Sequence, residues 1–273
     1  MRDKKIVSIL GCGWYGFALA GALLEDGLGV KGSTTTPQKL EILRAEGIEP
    51  YLINLDPDNE NIDTDFFDCD ILFISIPPKI RSGNGEGYIS KINHLIDIIK
   101  TTKIEQVIFV SSTGVYADDN TIVNELSDTV PDSESGKALL VAERLLQQQN
   151  GFTTTIIRFA GLIGPGRHPG RFLAGKKAIP NGDAPVNLIH LEDCIGISRA
   201  VLTKQVFGHV FNGSSPNHPA KAAFYTKAAV KSNLEPPEFI KEKTNWKIVD
   251  SINVPVLLSY NYSVDNLMEW LDE

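Results

Sequence analysis

Along the chain, short runs of apolar residues alternate with longer stretches whose apolar positions recur at helical spacing. The first run, IVSIL, ends in the glycine-rich turn GCGWYG, and an Ala/Leu-rich helix is predicted over 17–25. Residues 28–34 read as a second strand, 37–46 as a helix and 50–56 as a third strand. The stretch CDILFISIPP, 69–78, is almost wholly apolar, as a strand covered on both faces must be, and its proline pair is a stop signal. Ile89, Ile92, Ile96 and Ile99 predict a helix over 88–100. A fifth strand lies within QVIFVSSTGVY, 106–116. Leu139, Ala142, Leu145 and Leu146 form the apolar stripe of a helix over 135–149, and TTTIIRFAGLIG, 153–164, reads as a sixth strand. Strands alternating with helices imply a parallel sheet covered on both faces, a doubly wound α/β architecture of the Rossmann type.

The pattern changes after Gly164. GPGRHPGRFLAGKKAIPNGDAP is rich in Gly and Pro and carries Arg167, His168, Arg171, Lys176 and Lys177. A strand over 186–189, a helix over 192–202 and the strand HVFNG then return to the α/β pattern. The tail holds helices over 220–234 and 264–271, separated by a double proline. The division this suggests is a first domain over 1–164, which carries the glycine turn. A smaller substrate lobe over 165–273 would be interleaved with the last strands of the sheet.

With 273 residues the chain can bury a large core. Its formal charge of −8 argues against a nucleic-acid partner, which selects basic surfaces. No apolar run is long enough to cross a bilayer, and MRDKK leads directly into the first strand, so a cytoplasmic protein is expected. Cys12, Cys69 and Cys194 are scattered and far from metal-ligand spacing, and no metal is expected. Cys69 and Cys194 read as small buried hydrophobes; Cys12 sits inside the glycine turn and packs there by default.

That turn is the main chemical signal. Gly11, Gly13 and Gly16 follow the G-x-G-x-x-G spacing of a dinucleotide-binding unit, after a strand and before a helix. Gly11 permits the tight exit from the strand, Gly13 lets a pyrophosphate approach the backbone, and Gly16 lets the helix pack closely. Cys12, Trp14 and Tyr15 complete the predicted phosphate turn, whose helix N-terminus faces the anion. An acid about 20 positions on would bond a ribose 2′-hydroxyl and favour NAD. Here the second strand ends GSTTTPQK, with Ser33, Thr34, Thr35 and Lys39 and no carboxylate. The expectation is NADP, with NAD as the alternative.

VSSTGVY over 110–116, with a Ser/Lys pair opening a helix, resembles the extended short-chain dehydrogenase/reductase superfamily. GCGWYG, PGRHPGRF and VNLIHLEDC agree, and the match is closest to its atypical YeeZ-like branch, which is nucleotide-sugar epimerase-like. The resemblance spans nearly the whole chain. It implies that Ser112 polarises a substrate oxygen and that Lys137 binds the nicotinamide ribose. It places Asp56 against the adenine, where a strand-ending turn is an equally good reading. The superfamily's acid–base tyrosine falls at Ser133, and a serine hydroxyl is shorter and far less acidic. Ser133 also reads as the N-cap of the helix, and Lys137 as a solvated lysine. The resemblance further implies that Arg167, His168, Arg171 and Lys176 bind the diphosphate of a nucleotide-linked sugar; the alternatives are a solvated surface or the cofactor's own phosphate. Dimerisation through the 88–100 and 138–149 helices is expected on the same ground. The activity implied is hydride exchange with an alcohol or ketone. The rival is an NADP-binding sensor that has lost turnover.

Overall fold

The computed structural model describes residues 4–57, 59, 62–78 and 85–273. Seven strands form one sheet: β1 (Ile6–Leu10), β2 (Gly29–Thr34), β3 (Glu49–Leu52), β4 (Ile71–Ile74), β5 (Gln106–Ser112), β7 (Thr153–Phe159) and β10 (Val210–Gly213). Their spatial order is β3-β2-β1-β4-β5-β7-β10, and every neighbouring pair is parallel. The order reverses at β1: the chain runs outward to β2 and β3, then returns to lay β4 on the other side. In such a doubly wound sheet the crevice between the carboxyl ends of β1 and β4 is where ligands bind.

Strand alternation divides the interior into two apolar layers. Leu72, Ile74, Val107 and Phe109 point to one face, where α3 (Glu86–Lys100) and α4 (Glu134–Gln147) lay down Ile92, Leu95, Ile96, Leu139 and Leu146. Val7, Ile9, Phe73 and Ile108 point to the other face, beneath α1 (Trp14–Glu25), α2 (Leu40–Ala45), α6 (Leu191–Lys204) and α8 (Asn253–Leu258). A third cluster, including Ile163, Leu188, Phe224, Ala228 and Leu267, joins β8 (Gly161–Ile163) and β9 (Leu188–His190) to α7 (Lys221–Lys231) and α9 (Leu267–Trp270). No helix among the described residues is long and apolar enough to cross a membrane.

The expected 153–164 strand is two strands. The chain leaves the main sheet after Phe159, and Gly161 begins β8, whose partner is β9. One apolar run serves both because each half is buried, in different ladders. The third strand also ends earlier than the pattern predicts, at Leu52, although Ile53 still donates its N–H to Thr34 O. A further two-stranded ladder, β6 (Thr121–Val123) with β11 (Lys247–Val249), has no counterpart in the sequence reading, nor does α8. α5 (Gly170–Leu173) is a single turn inside the Gly/Pro-rich loop and packs on α7.

Candidate functional site

The glycine turn leaves β1 with Gly11 at φ +102°, where a Cβ would sit 2.7 Å from Ser75 O. Its N–H donates to Ser33 Oγ at 2.9 Å, and Cys12 N–H donates to Ser33 O at 2.8 Å. Ser33 therefore ties the turn to the end of β2. A Cβ on Gly16 would lie 2.4 Å from Gly11 O, so only glycine lets α1 start this close to the turn. Gly13 differs: a Cβ there meets nothing within 4 Å. It caps α1 without a side-chain hydrogen bond, and no acid lies in the first turn. Among the described residues the N–H groups of Trp14, Tyr15 and Gly16 have no hydrogen-bond acceptor, the positive end of the helix dipole lies with them, and the space beside Gly13 is open.

That space opens into a cleft of about 720 Å³ across the carboxyl ends of β1 to β4. Gly11–Gly13 form its floor. Ser33 to Thr36 and Lys39 form one rim, and the first part of α3, with Tyr88 and Lys91, forms the other. The volume lies in the range of cofactor sites, and the bare helix end suits a pyrophosphate. The residues present fit a dinucleotide.

The side chains of Trp14 and Tyr15 turn away from the cleft. Tyr15 is buried, its hydroxyl 2.6 Å from Ser198 Oγ and its ring edge-on to Phe159; burial pushes its pKa well up. Trp14 donates Nε1–H to Pro165 O at 2.8 Å. Cys12 borders the cleft, but burial pushes its thiol up to about 12, so it stays protonated at neutral pH. Asp56 is exposed and does not line the cleft; Asn54 and Leu55 of that segment do.

Ser112 Oγ accepts the Gly114 N–H at 3.1 Å, leaving its O–H as a donor. Ser133 Oγ accepts the Gly136 N–H at 3.0 Å as the N-cap of α4. Lys137 is exposed and pairs with Glu134 at 2.7 Å. None of the three borders the cleft. Tyr116, the one phenol in the VSSTGVY segment, is buried. Its hydroxyl accepts from Arg158 Nη1 at 2.7 Å and donates to Asn212 Oδ1 at 3.0 Å. Burial raises its pKa, with Arg158 and Asn212 opposing. Arg158 also grips Glu143 (Nη2 to Oε2, 2.6 Å), which accepts from Ser111 Oγ at 2.5 Å. This buried chain of hydrogen bonds ties β5, α4, β7 and β10 together, starting at Ser111, the residue before Ser112.

The basic loop does not converge on one point. The Arg167 guanidinium lies over the Trp14 ring, 5.2 Å from its centre. His168 Nδ1 accepts from Gly170 N–H at 3.2 Å and lies 3.0 Å from Ser232 Oγ. His168 and Arg171 border a hollow of about 340 Å³ beside Ser232. Lys176 is exposed further along, and its neighbour Lys177 pairs with Glu235 and Glu238. His190 caps α6, and buried Asp193 accepts from Tyr260 Oη, Ser263 N–H and Val264 N–H, pinning the tail to α6. Among the described residues no group of three or more His, Cys, Asp or Glu could hold a metal.

Sequence reasoning did not single out Asn54, Ile76, Tyr88 or Lys91. Ile76 had a usable signal, since the following proline pair marks the carboxyl end of β4. Lys91 had none, being one polar position of an amphipathic helix.

A parallel sheet with a glycine turn, an uncapped helix and a cleft at its switch point defines a dinucleotide-binding α/β protein of the Rossmann type. A family model described as NAD(P)H-binding matches residues 11–187. Protein YeeZ of Escherichia coli (strain K12) is 40% identical over 265 residues, covering 94% of this chain and 96% of YeeZ. The chain therefore belongs to the NAD(P)H-binding family and is a relative of YeeZ. Two solved structures share the fold. A functionally unknown conserved protein from Silicibacter pomeroyi is 23% identical with TM-score 0.81, covering 98% of this chain and 97% of that one. UDP-glucuronic acid 4-epimerase from Bacillus cereus, in complex with NAD, is 19% identical with TM-score 0.80, covering 98% and 96%.

Proposed function

We propose that the protein binds NADP in preference to NAD and uses it on an anionic alcohol or ketone, with nucleotide-linked sugars as the substrate class. The observation that carries the cofactor reading is the bare α1 N-terminus opening on a cleft whose β2 rim holds hydroxyls and Lys39 but no carboxylate. On that rim a 2′-phosphate meets donors and a cation, while Glu86 lines the α3 side of the cleft. When bound, the nicotinamide supplies hydride chemistry. On the protein's side, Ser112 orients the reacting oxygen through its free O–H. Arg171 and Lys176, on the residue 165–273 side, attract the anionic part of the substrate. The nucleotide-sugar class is supported by the fold shared with the Bacillus cereus epimerase.

A second reading, binding without turnover, is favoured by three specific observations. Ser133 is spent as a helix cap, Lys137 is paired on the surface, and Tyr116 is consumed below the site. Transfer of label from stereospecifically deuterated NADPH to the carbonyl carbon of a panel of UDP-linked ketosugars separates the two. Label in the sugar or its product supports the enzyme. Saturable binding with no transfer supports the sensor. Lys39→Ala should weaken NADP and leave NAD unchanged; equal effects on both would remove the NADP preference.

A further inference from the structure

We propose that Lys91 is the cation that holds the pyrophosphate of the dinucleotide, reaching it from the rim of the cleft opposite Lys39. The inference rests on the dinucleotide reading above and adds to it a residue that lies outside the glycine turn.

The start of α3 is fixed by Tyr88, whose hydroxyl donates to Ile76 O at 3.1 Å and ties the first turn of the helix to the carboxyl end of β4. Lys91 follows one turn later, on the same side of the helix, and both residues border the cleft. The neighbouring stripe of Ile92, Leu95 and Ile96 is anchored in the core, so the backbone that carries Lys91 is held in place. The lysine itself is half-buried, and among the described residues no carboxylate lies within ion-pair distance of it. Lys100, at the other end of α3, sits 3.8 Å from Asp97. Glu86 borders the same rim as Lys91, but the two form no ion pair with each other. Lys39, on the β2 rim, likewise has no carboxylate within ion-pair distance among the described residues. Each rim therefore offers one ammonium without a salt bridge, and the glycine floor lies between them.

NADP carries two anionic groups on its adenosine half, the 2′-phosphate and the pyrophosphate, separated by the ribose. The hydroxyls and Lys39 of the β2 rim suit the first. The second lies on the floor of Gly11–Gly13, where the remaining cation bordering the cleft is Lys91. A lysine serves a phosphate as a point charge on a flexible stem, so it can reach down from α3 without a fixed fork geometry.

Calorimetric titration of the ligand-free protein separates the two anions with two fragments. Adenosine 5′-diphosphate carries the pyrophosphate without the 2′-phosphate, and adenosine 2′-monophosphate carries the 2′-phosphate without the pyrophosphate. Lys91→Gln removes the charge and keeps most of the stem, and glutamine is as good a helix former as lysine. It should weaken the diphosphate and NADP roughly 5- to 50-fold, the scale of a charge-assisted hydrogen bond at a half-buried position, and change the 2′-monophosphate less than about twofold. Lys91→Arg, which keeps the charge, should recover part of the loss. Three results overturn the inference: a diphosphate affinity of Lys91→Gln within twofold of wild type, a loss for the 2′-monophosphate as large as that for the diphosphate, or Lys91→Arg binding the diphosphate no better than Lys91→Gln. Wild-type protein that binds neither NADP nor NAD removes the cofactor reading and this inference with it. Normal wild-type binding with an indifferent Lys91 removes this inference alone.

Discussion

Gly13→Ala should separate binding from folding at the glycine turn. The added methyl meets no protein atom within 4 Å, and the backbone is extended at φ −78°, which alanine adopts freely. Alanine is a poorer N-cap than glycine, by about 0.5–1.5 kcal/mol on the scale of cap substitutions. It also stiffens the unfolded chain, which returns about 0.4–1 kcal/mol. The ligand-free protein should therefore change by less than about 1 kcal/mol. The methyl nevertheless fills the space through which an anion reaches the α1 N–H groups. Loss of one charge-assisted hydrogen bond, about 1.5–3 kcal/mol, weakens dinucleotide binding roughly 10- to 150-fold. Gly16→Ala is the opposite case: its Cβ would lie 2.4 Å from Gly11 O, and the overpacking costs about 1–3 kcal/mol of folding. Urea unfolding without ligand and titration with NADP measure the two quantities separately. Unchanged NADP affinity in Gly13→Ala would refute the reasoning, as would a ligand-free loss above about 3 kcal/mol.

Two further predictions concern stability. Glu143→Leu strands the buried Arg158 guanidinium and should cost about 3–5 kcal/mol, while Glu143→Leu with Arg158→Met should recover most of it, because paired removal spares the uncompensated charge. A double variant no more stable than the single, by urea midpoint, would contradict that. Burial lowers the pKa of His190 and of His218 from 6.5. Below 6.5 the unfolded chain therefore takes up protons before the folded one does. Stability should rise with pH through this window and be lost as pH falls through the folded values. His218→Asn should flatten the slope between pH 7 and pH 5, measured by denaturation; an unaltered slope in that variant would exclude the His218 contribution.

Elements with a strong local signal were legible in the sequence. β4 and β5 are apolar because both faces are covered, and α3 and α4 show their buried stripes in the spacing of Ile and Leu. The β6–β11 ladder was not, since three residues each, paired across more than a hundred positions and with Ile122 exposed, leave no period to read. The break after Phe159 was hidden for the opposite reason: both flanking segments are apolar. At the site, Gly11 and Gly16 were readable because close backbone contacts there exclude a side chain. The destination of Arg167 was not readable, because the stapling carbonyl of Pro165 lies 151 residues from Trp14. The cap at Ser133 was readable as one of two alternatives; what became of Tyr116 depended on Arg158 and Asn212, which only the fold brings together.

The central claim is that the switch-point cleft holds a dinucleotide. Titration calorimetry of the wild-type protein with NADP and with NAD tests it most directly. Saturable binding at one site per chain, tighter for NADP, is the expected result. No saturable binding of either dinucleotide would contradict it.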